Sequence, residues 1–265
     1  MLTDRLPYAG GILPQCLHEG FGLGAFGREL TGPVYAARLA ARLAQTGVRF
    51  LPGREVLAVG KDKTAVLSGS GGVEEIQFEK LILATGSRER SIGSLTVAGT
   101  RPAGIFTAGQ AQEMINLHHW NLGRRIVILG SGDLGMIMAR RFTLEGKQVL
   151  AVLEQGESYG GMARNFHRCI EAYRIPIFYR RTVREIHGMP RISGVTVENL
   201  ESGRREFLSC DTLITAVGLI PERELARDLC DPTWLSFAGN CRRIHDIADA
   251  AAAEGEAVGR KAVEK

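Results

Sequence analysis

One stretch of the sequence, Gly130-Ser131-Gly132-Asp133-Leu134-Gly135, has three glycines at a spacing suited to binding a phosphate group. In such a G-x-G-x-x-G turn the first glycine permits a tight bend and the second lets the main chain approach a pyrophosphate. The third lets a helix pack closely on a strand, and that helix directs its positive N-terminus at the phosphates. These residues predict a site for a pyrophosphate ligand. The alternative is a turn that binds nothing.

An acidic residue, Glu154, follows this turn at close to the ~20-residue interval at which a carboxylate bonds the ribose hydroxyls of a bound dinucleotide. No arginine comes directly after Glu154 to bind a 2′-phosphate. We therefore expect a nicotinamide dinucleotide, with NAD(H) favoured over NADP(H).

Three predicted elements position these residues. Residues 125–129 form a short, β-branched apolar run, typical of a strand buried on both faces of a parallel sheet. A helix is predicted from about Asp133 to Glu145, with Gly146 as its stop. A second strand is predicted from Gln148 to Leu153, directly before Glu154.

Part of this plan occurs a second time near the start of the sequence. Asp4 precedes the pair Gly10 and Gly11 by the same interval at which Glu154 precedes residues 160–161, also glycines. Residues 81–86 and 213–218 are each an apolar strand that ends on small residues and a glycine. The matches predict two copies of one dinucleotide-binding plan. An accidental match of common glycine pairs is the alternative.

The first copy lacks its own glycine turn. If Asp4 is the counterpart of Glu154, that turn would come before residue 1, so we expect the first unit to be incomplete at its N-terminus. A truncated gene or a fragment would explain this arrangement.

The bulk composition excludes several other classes of protein. The chain has 265 residues, 45% hydrophobic content and a formal charge of +4, and its Lys and Arg residues are scattered, which argues against nucleic-acid binding. No apolar run is long enough to span a membrane, and the N-terminus has no apolar signal core, so a cytoplasmic location is expected. Five cysteines without a C-x-x-C pair argue against a disulfide framework or a metal site. They are Cys16, Cys169, Cys210, Cys230 and Cys241. Cys169 and Cys210 flank apolar positions and are expected in the core, whereas Cys16 and Cys241 are expected in polar loops.

Taken together, these motifs resemble the FAD-dependent pyridine nucleotide-disulfide oxidoreductase superfamily, over nearly the whole chain. The likeness is to a branch without the redox disulfide, similar to flavoprotein subunits of amine, opine or amino-acid dehydrogenases. The stretches that carry it are residues 10–22, 84–90, 130–141, 238–240 and 244–246.

The resemblance implies an FAD site in the first copy and a nicotinamide site in the second. Asp4 would bond the adenosine ribose of FAD, and the family commonly has an aspartate where Asn240 stands. Residues 231–237 also depart from the family pattern. The residues implied at FAD are Asp4, Gly10, Gly11, Ala84, Thr85, Gly86, Gly239 and Asn240, and those implied at the nicotinamide dinucleotide are Gly130, Gly132, Asp133, Leu134, Gly135, Glu154 and Gly218.

The implied activity is hydride exchange between NAD(P)H and FAD, which needs no obligatory side-chain acid or base. Cys16 and His18 are candidate reactive residues near the flavin, with packing as the alternative, because no partner is visible to lower the thiol pKa. His245 is a candidate for proton handling, with a helix cap by Asp246 as the alternative. Catalytic residues are otherwise unassigned.

The predicted architecture is α/β, with two Rossmann-like dinucleotide-binding units. Residues 1–103 and 219–265 would form the FAD unit, and residues 104–218 an inserted NAD(P)H unit. Expected partners are a dehydrogenase or iron-sulfur subunit and a small-molecule substrate, and a homo-oligomer is compatible with the resemblance. The alternative function is a truncated, non-catalytic module that binds a nicotinamide dinucleotide.

Overall fold

The computed structural model describes residues 1–229 and 232–263. The chain divides into an outer unit, Met1–Arg88 with Ile220–Lys265, and an inner unit, Glu89–Leu219. Residues 89–103 and Leu219, which were expected in the outer unit, belong to the inner unit. Cys230 and Asp231 lie outside the described residues.

The first segment of the outer unit is built from short strands and two helices. Its elements are β1 (Leu2–Asp4), β2 (Glu19–Phe21), α1 (Leu23–Phe26), β3 (Leu30–Thr31), α2 (Gly32–Ala44), β4 (Phe50–Pro52), β5 (Glu55–Val59), β6 (Thr64–Gly69), β7 (Gly72–Gln77) and β8 (Leu81–Leu83). Strands β5, β6 and β7 form an antiparallel sheet, whereas β1 and β4 form a parallel pair.

The inner unit follows a connecting strand, β9 (Ser87–Glu89). Its elements are β10 (Ala98–Gly99), β11 (Ile105–Thr107), α3 (Ala108–Asn116), β12 (Arg125–Leu129), α4 (Asp133–Leu144), β13 (Gln148–Leu153), α5 (Ala163–Asn165), a π-helical segment (Phe166–Glu171), β14 (Ile177–Phe178), β15 (Arg181–His187), β16 (Gly194–Asn199), β17 (Arg205–Leu208) and β18 (Thr212–Thr215). The chain then returns to the outer unit through β19 (Leu219–Pro221) and adds β20 (Leu235–Phe237) and α6 (Ala248–Val263). Single helical turns lie at Leu13–Gln15, Ile92–Ser94, Glu224–Ala226 and Gly239–Cys241.

The inner unit is organised around a five-stranded parallel sheet in the order β11-β18-β12-β13-β14. Strand β12 lies in the middle, and its alternate residues face opposite sides. Ile126 and Ile128 belong to the apolar cluster that includes α3 and α4, while Val127 and Leu129 belong to the cluster that includes β15 and β16. This confirms the prediction of a strand buried on both faces. Each such side chain contributes roughly 1.5–3 kcal/mol by burial.

Parallel strands, with helices in the inner unit, confirm the predicted α/β class. The predicted strand, helix and second strand around the glycine turn are β12, α4 and β13, with the helix ending one residue early.

The outer unit repeats only part of this arrangement. Strand β8 pairs in parallel with β20, and β1 pairs in parallel with β4. In residues 1–229 and 232–263, no strand pairs with both β1 and β8 in the way that β12 pairs with β13 and β18. Consistent with this, Ile82 of β8 is 38% exposed, whereas Leu213 and Ile214 of β18 are completely buried.

Candidate functional site

The glycine turn between β12 and α4 contains three glycines, and the fold requires glycine at only two of these positions. Gly130 has a φ of +103°, and a Cβ there would clash with the carbonyl oxygen of Ala216. A Cβ on Gly135 would clash with the carbonyl oxygen of Gly130, so the helix could not pack on the turn. Gly132 has an ordinary φ of −61°, and a Cβ there would meet no atom within 4 Å. The fold therefore needs glycine at the first and third positions but leaves open space beside the second.

Helix α4 begins directly at this open space. No side chain caps it at Gly132, so its first amides are directed toward the space. The Asp133 carboxylate is turned away, because its Oδ1 accepts hydrogen bonds from Met162 N and Asn165 Nδ2, both at 2.7 Å. The half-buried Leu134 packs against the apolar cluster below. The Asp133 carboxylate is therefore bound to the loop at residues 162–165 and does not cap the first amides of the helix.

Glu154 lies at the carboxyl end of β13, beside the glycine turn. Its Oε2 accepts hydrogen bonds from Ser131 N at 3.0 Å and Ser131 Oγ at 2.6 Å, and its Oε1 accepts one from Gly156 N at 2.8 Å. The carboxylate is therefore fixed by the main chain of the turn, and Oε1 keeps an acceptor position for a ligand hydroxyl.

A loop covers one side of the turn. The Gly160 amide donates to Ser131 Oγ at 2.9 Å, and a Cβ on Gly161 would come within 2.7 Å of the Asp133 nitrogen. Sequence reasoning identified this glycine pair but missed Ser131, which is fully buried and joins turn, acid and loop. The sequence feature that could have identified Ser131 is its position as a small hydroxyl residue between two glycines. Gly218, by contrast, is exposed, with a φ of +111° and space around it.

In the outer unit, two predicted flavin segments meet at the carboxyl ends of β8 and β20. The Ala238 amide donates to the carbonyl of Leu83 at 2.9 Å, so residues 84–86 and residues 239–240 leave the same edge of this strand pair. Ala84 and Thr85 are exposed, and the Thr85 hydroxyl donates to the Glu222 carbonyl at 2.6 Å. Ligands of open α/β sheets bind at this end of the strands.

The turn after β20 is held by Glu254 of α6, which the sequence analysis did not identify. Glu254 accepts hydrogen bonds from Gly239 N at 2.8 Å and Arg242 Nη1 at 2.8 Å, and its Oε2 lies 3.2 Å from His245 Nε2. The hydrogen bond with His245 is the largest of the causes that lower the pKa of this carboxyl. His245, the candidate for proton handling, therefore has its ring committed to a buried carboxylate. Helix α6 begins at Ala248, so Asp246 is not adjacent to it.

Asp4, Gly10 and Gly11 lie on the other parallel pair of the outer unit. Asp4 ends β1, and its Oδ1 accepts a hydrogen bond from Leu6 N at 2.9 Å. Gly10, at a φ of +120°, packs against Ala36 of α2, where a Cβ would lie 2.8 Å from the Ala36 Cβ. Gly11 has a φ of +55° and space around it. These residues stay predicted flavin ligands.

Cys16 and His18, the two candidate reactive residues, each contact a backbone carbonyl. Burial raises the pKa of the Cys16 thiol to about 12, and its Sγ lies 3.5 Å from the Ile12 carbonyl. His18 Nδ1 bonds the Glu19 carbonyl at 3.0 Å, and its ring lies 5.0 Å from the Phe21 ring. A thiol held protonated is a poor nucleophile. Cys16 and Cys241, which were expected in polar loops, are both buried.

The described residues contain neither a cluster of metal-ligating side chains nor a helix able to span a membrane. Within residues 1–229 and 232–263, no three His, Cys, Asp or Glu side chains are grouped so as to hold a metal ion. None of the helices described is both long enough and apolar enough to cross a bilayer.

Comparison with known proteins agrees with this geometry. The family profile described as pyridine nucleotide-disulphide oxidoreductase matches residues 8–232. The chain belongs to this family. A thioredoxin reductase of Streptomyces clavuligerus is 24% identical over 222 residues, which cover 82% of this chain and 66% of that protein. A rubredoxin-NAD(+) reductase of Pseudomonas putida is 28% identical over 180 residues, which cover 66% of this chain and 44% of that one.

The solved structure of Lactococcus lactis thioredoxin reductase resembles the chain in fold, with a TM-score of 0.73 at 17% identity over 97% of this chain and 89% of that one. The family member spans only part of several longer relatives, including 33% of the mitochondrial dihydrolipoyl dehydrogenase of Caenorhabditis elegans. The predicted superfamily is confirmed.

Proposed function

We propose that this family member is a flavin-dependent NAD(P)H oxidoreductase, or a flavoprotein subunit of one. The inner unit would bind the nicotinamide dinucleotide and the outer unit FAD. The observation that carries this proposal is the contrast within the glycine turn. Gly130 and Gly135 are required by the fold, whereas Gly132 leaves free space in front of the N-terminus of α4. That space suits a pyrophosphate group.

The residues of the inner unit fit a nicotinamide dinucleotide. The α4 amides would hold the pyrophosphate, and Glu154 Oε1 would accept a ribose hydroxyl. NADH is favoured over NADPH because a 2′-phosphate would lie against this carboxylate. Arg180, whose amide donates to the carbonyl of Gly156, is paired with Glu157 and Glu201. When bound, the nicotinamide and flavin supply the redox chemistry, and the protein supplies position and electrostatics.

The outer unit has residues that fit part of FAD. Gly86 follows the carboxyl end of β8, Gly239 and Asn240 follow that of the parallel strand β20, and Asp4 ends another strand. Cys16, Cys169, Cys210 and Cys241, the cysteines within the described residues, form no disulfide. We therefore infer that electrons leave the flavin toward a separate acceptor. The Pseudomonas putida relative is a rubredoxin-NAD(+) reductase, so we propose a small redox protein or an iron-sulfur partner subunit as that acceptor.

The test is anaerobic reduction of the full chain loaded with FAD. Addition of NADH should bleach the visible flavin absorbance in the wild type, and the Gly132→Val variant should lose this reaction while still binding FAD. A colourless protein that binds NADH would instead indicate a nicotinamide-binding module without flavin. A yellow protein that NADH fails to bleach would contradict the proposed hydride exchange.

A further inference from the structure

A cavity of about 440 Å³ lies on the four-stranded sheet β10-β15-β16-β17 of the inner unit. One face of this sheet packs with β12 in an apolar cluster, through residues such as Val183 and Val197. Glu198, the next residue of β16, faces the other way and lines the cavity. The cavity therefore opens on the face turned away from the parallel sheet, and its volume lies within the range of ligand sites, roughly 300–1,000 Å³.

A β-bulge in β15 directs two adjacent charged residues into this cavity. The register with β16 shifts between Val183 and Glu185, so Arg184 is the extra residue. Val183 and Ile186 are both buried in the same apolar cluster, and the two residues between them therefore both face outward. A regular strand would place Arg184 and Glu185 on opposite faces. Here both line the cavity.

The two arginines of the cavity share one carboxylate. Glu198 accepts a hydrogen bond from Arg184 Nη2 at 3.0 Å on one oxygen and from Arg205 Nε at 2.8 Å on the other. These hydrogen bonds, the one from Arg184 first, lower the pKa of Glu198. The two guanidinium groups therefore lie close together, and each has further N–H donors. Their side chains are 39% and 62% exposed, so a ligand can reach these donors.

Glu185 brings a carboxylate that is not compensated. Across the residues that the structure describes, its side chain forms no ion pair and no hydrogen bond with the protein. An apolar wall lies beside it, because Ala98 of β10 pairs with Glu185 and the half-buried Leu95 also lines the cavity. The cavity thus combines free N–H donors of two cations, one free carboxylate and an apolar wall.

We propose that this cavity binds a free α-amino acid with an apolar side chain. The ligand's carboxylate accepts hydrogen bonds from Arg184 and Arg205, and its ammonium group pairs with Glu185. Its side chain lies against Leu95 and Ala98. A zwitterion fits because the charges of the two arginines and two glutamates in the cavity cancel. A plain anion would be repelled by the free carboxylate, and a plain amine by the guanidinium groups.

The ligand test is calorimetric titration of the full chain with L-leucine and with two analogues that each lack one charge. 4-Methylpentanoate has no ammonium group, and 3-methylbutylamine has no carboxylate. We expect L-leucine to bind at least tenfold more tightly than either analogue, because each analogue loses one charge-assisted contact. Saturating NADH should leave the affinity for L-leucine unchanged, since the cavity faces away from the parallel sheet.

Two substitutions assign the two ends of the ligand. Glu185→Gln should bind L-leucine at least tenfold more weakly and should not weaken binding of 4-methylpentanoate. Arg205→Gln should weaken binding of both compounds at least threefold, because both carry the carboxylate. Glu206→Gln, an exposed residue of β17 that does not line the cavity, is the matched control and should bind L-leucine like the wild type. Urea unfolding checks that each variant is folded.

Each result supports or overturns the proposal. A wild type that fails to bind L-leucine overturns it, and equal affinities for L-leucine and 4-methylpentanoate would indicate a simple anion site instead. A folded Glu185→Gln protein with unchanged affinity would place the ligand elsewhere, and competition by NADH would place it at the glycine turn. A protein that binds L-leucine as described but is not reduced by NADH would overturn the proposed function and leave this site standing.

Discussion

Cys16 shows how burial decides the chemistry of a residue whose type alone suggests reactivity. The thiol follows a turn rich in glycine and looks accessible in sequence, but it is 6% exposed and its pKa is raised to about 12 by burial. A thiolate is the reactive form of cysteine. At neutral and mildly alkaline pH the side chain therefore stays a protonated thiol.

We expect iodoacetamide at mildly alkaline pH to alkylate Cys16 at least tenfold more slowly in the folded protein than in urea. Mass spectrometry of the peptide over time measures this rate, and the same protein in urea is the control. Equal rates in the folded and unfolded protein would show that Cys16 is an accessible thiolate.

Glu254 gives a dependence of stability on pH with a defined sign. Its pKa is lowered in the folded protein, chiefly by the hydrogen bond with His245. A carboxyl with a depressed folded pKa stabilises the fold above its unfolded pKa and loses that contribution as the pH falls through the folded value. The Glu254→Gln variant should therefore unfold at lower urea than the wild type at neutral pH, and the gap should narrow as the pH drops below about 4.

Urea titrations of both proteins across this range measure the gap, with Glu256→Gln, an exposed residue of the same helix, as the control. If the difference in urea midpoint between the wild type and Glu254→Gln does not depend on pH, ionisation of Glu254 is not the cause of that difference.

At the scale of elements, the loop after β13 is attached to the glycine turn through two side chains. Ser131 Oγ accepts the Gly160 amide, and Asp133 Oδ1 accepts the Met162 amide. Both contacts come from the turn that would hold the pyrophosphate. The position of the loop is therefore coupled to the geometry of the site.

Removing one contact should loosen the loop and leave the sheet intact. In Ser131→Ala we expect the Gly160 amide to exchange at least tenfold faster, while the amides of β12 keep their protection, because their partners lie in β13 and β18. Hydrogen exchange measured by NMR gives separate rates for the Gly160 amide and for the amides of β12. Faster exchange throughout β12 would mean that Ser131 supports the whole sheet, and an unchanged Gly160 would refute the attachment.

Strong local patterns made the elements of the inner unit predictable. The apolar run of β12, the glycine turn and the stop at Gly146 are contiguous in sequence, and each limits the backbone by itself. The contacts of Glu254 and Ser131 were not predictable, since they join residues far apart in the chain. Burial of Cys16 and Cys241 also depends on packing by other segments, so their polar neighbours in sequence were misleading.

At the scale of the whole molecule, the inner unit has a hydrophobic core of its own. The inner unit has two apolar clusters, one on each face of its parallel sheet, and both are drawn from residues 92–217. A unit that buries its own core is expected to fold alone.

We predict that residues 89–219, expressed alone, unfold cooperatively and bind NADH within a few-fold of the affinity of the full chain. Urea unfolding followed by calorimetric titration with NADH measures both properties, with the full chain as reference. A fragment that folds but does not bind NADH would show that the outer unit supplies essential contacts.

The open space at the glycine turn predicts that a nicotinamide dinucleotide binds over Gly132. The most direct test is calorimetric titration of the full chain and of Gly132→Ala with NADH, combined with the free energy of unfolding of both. The added methyl group meets no protein atom within 4 Å, and the φ of −61° suits alanine. The free energy of unfolding of Gly132→Ala should therefore differ from that of the wild type by less than about 1 kcal/mol. Binding of NADH should weaken at least tenfold, because the methyl group occupies the space of the pyrophosphate. Unchanged affinity for NADH in a folded Gly132→Ala protein would contradict the account.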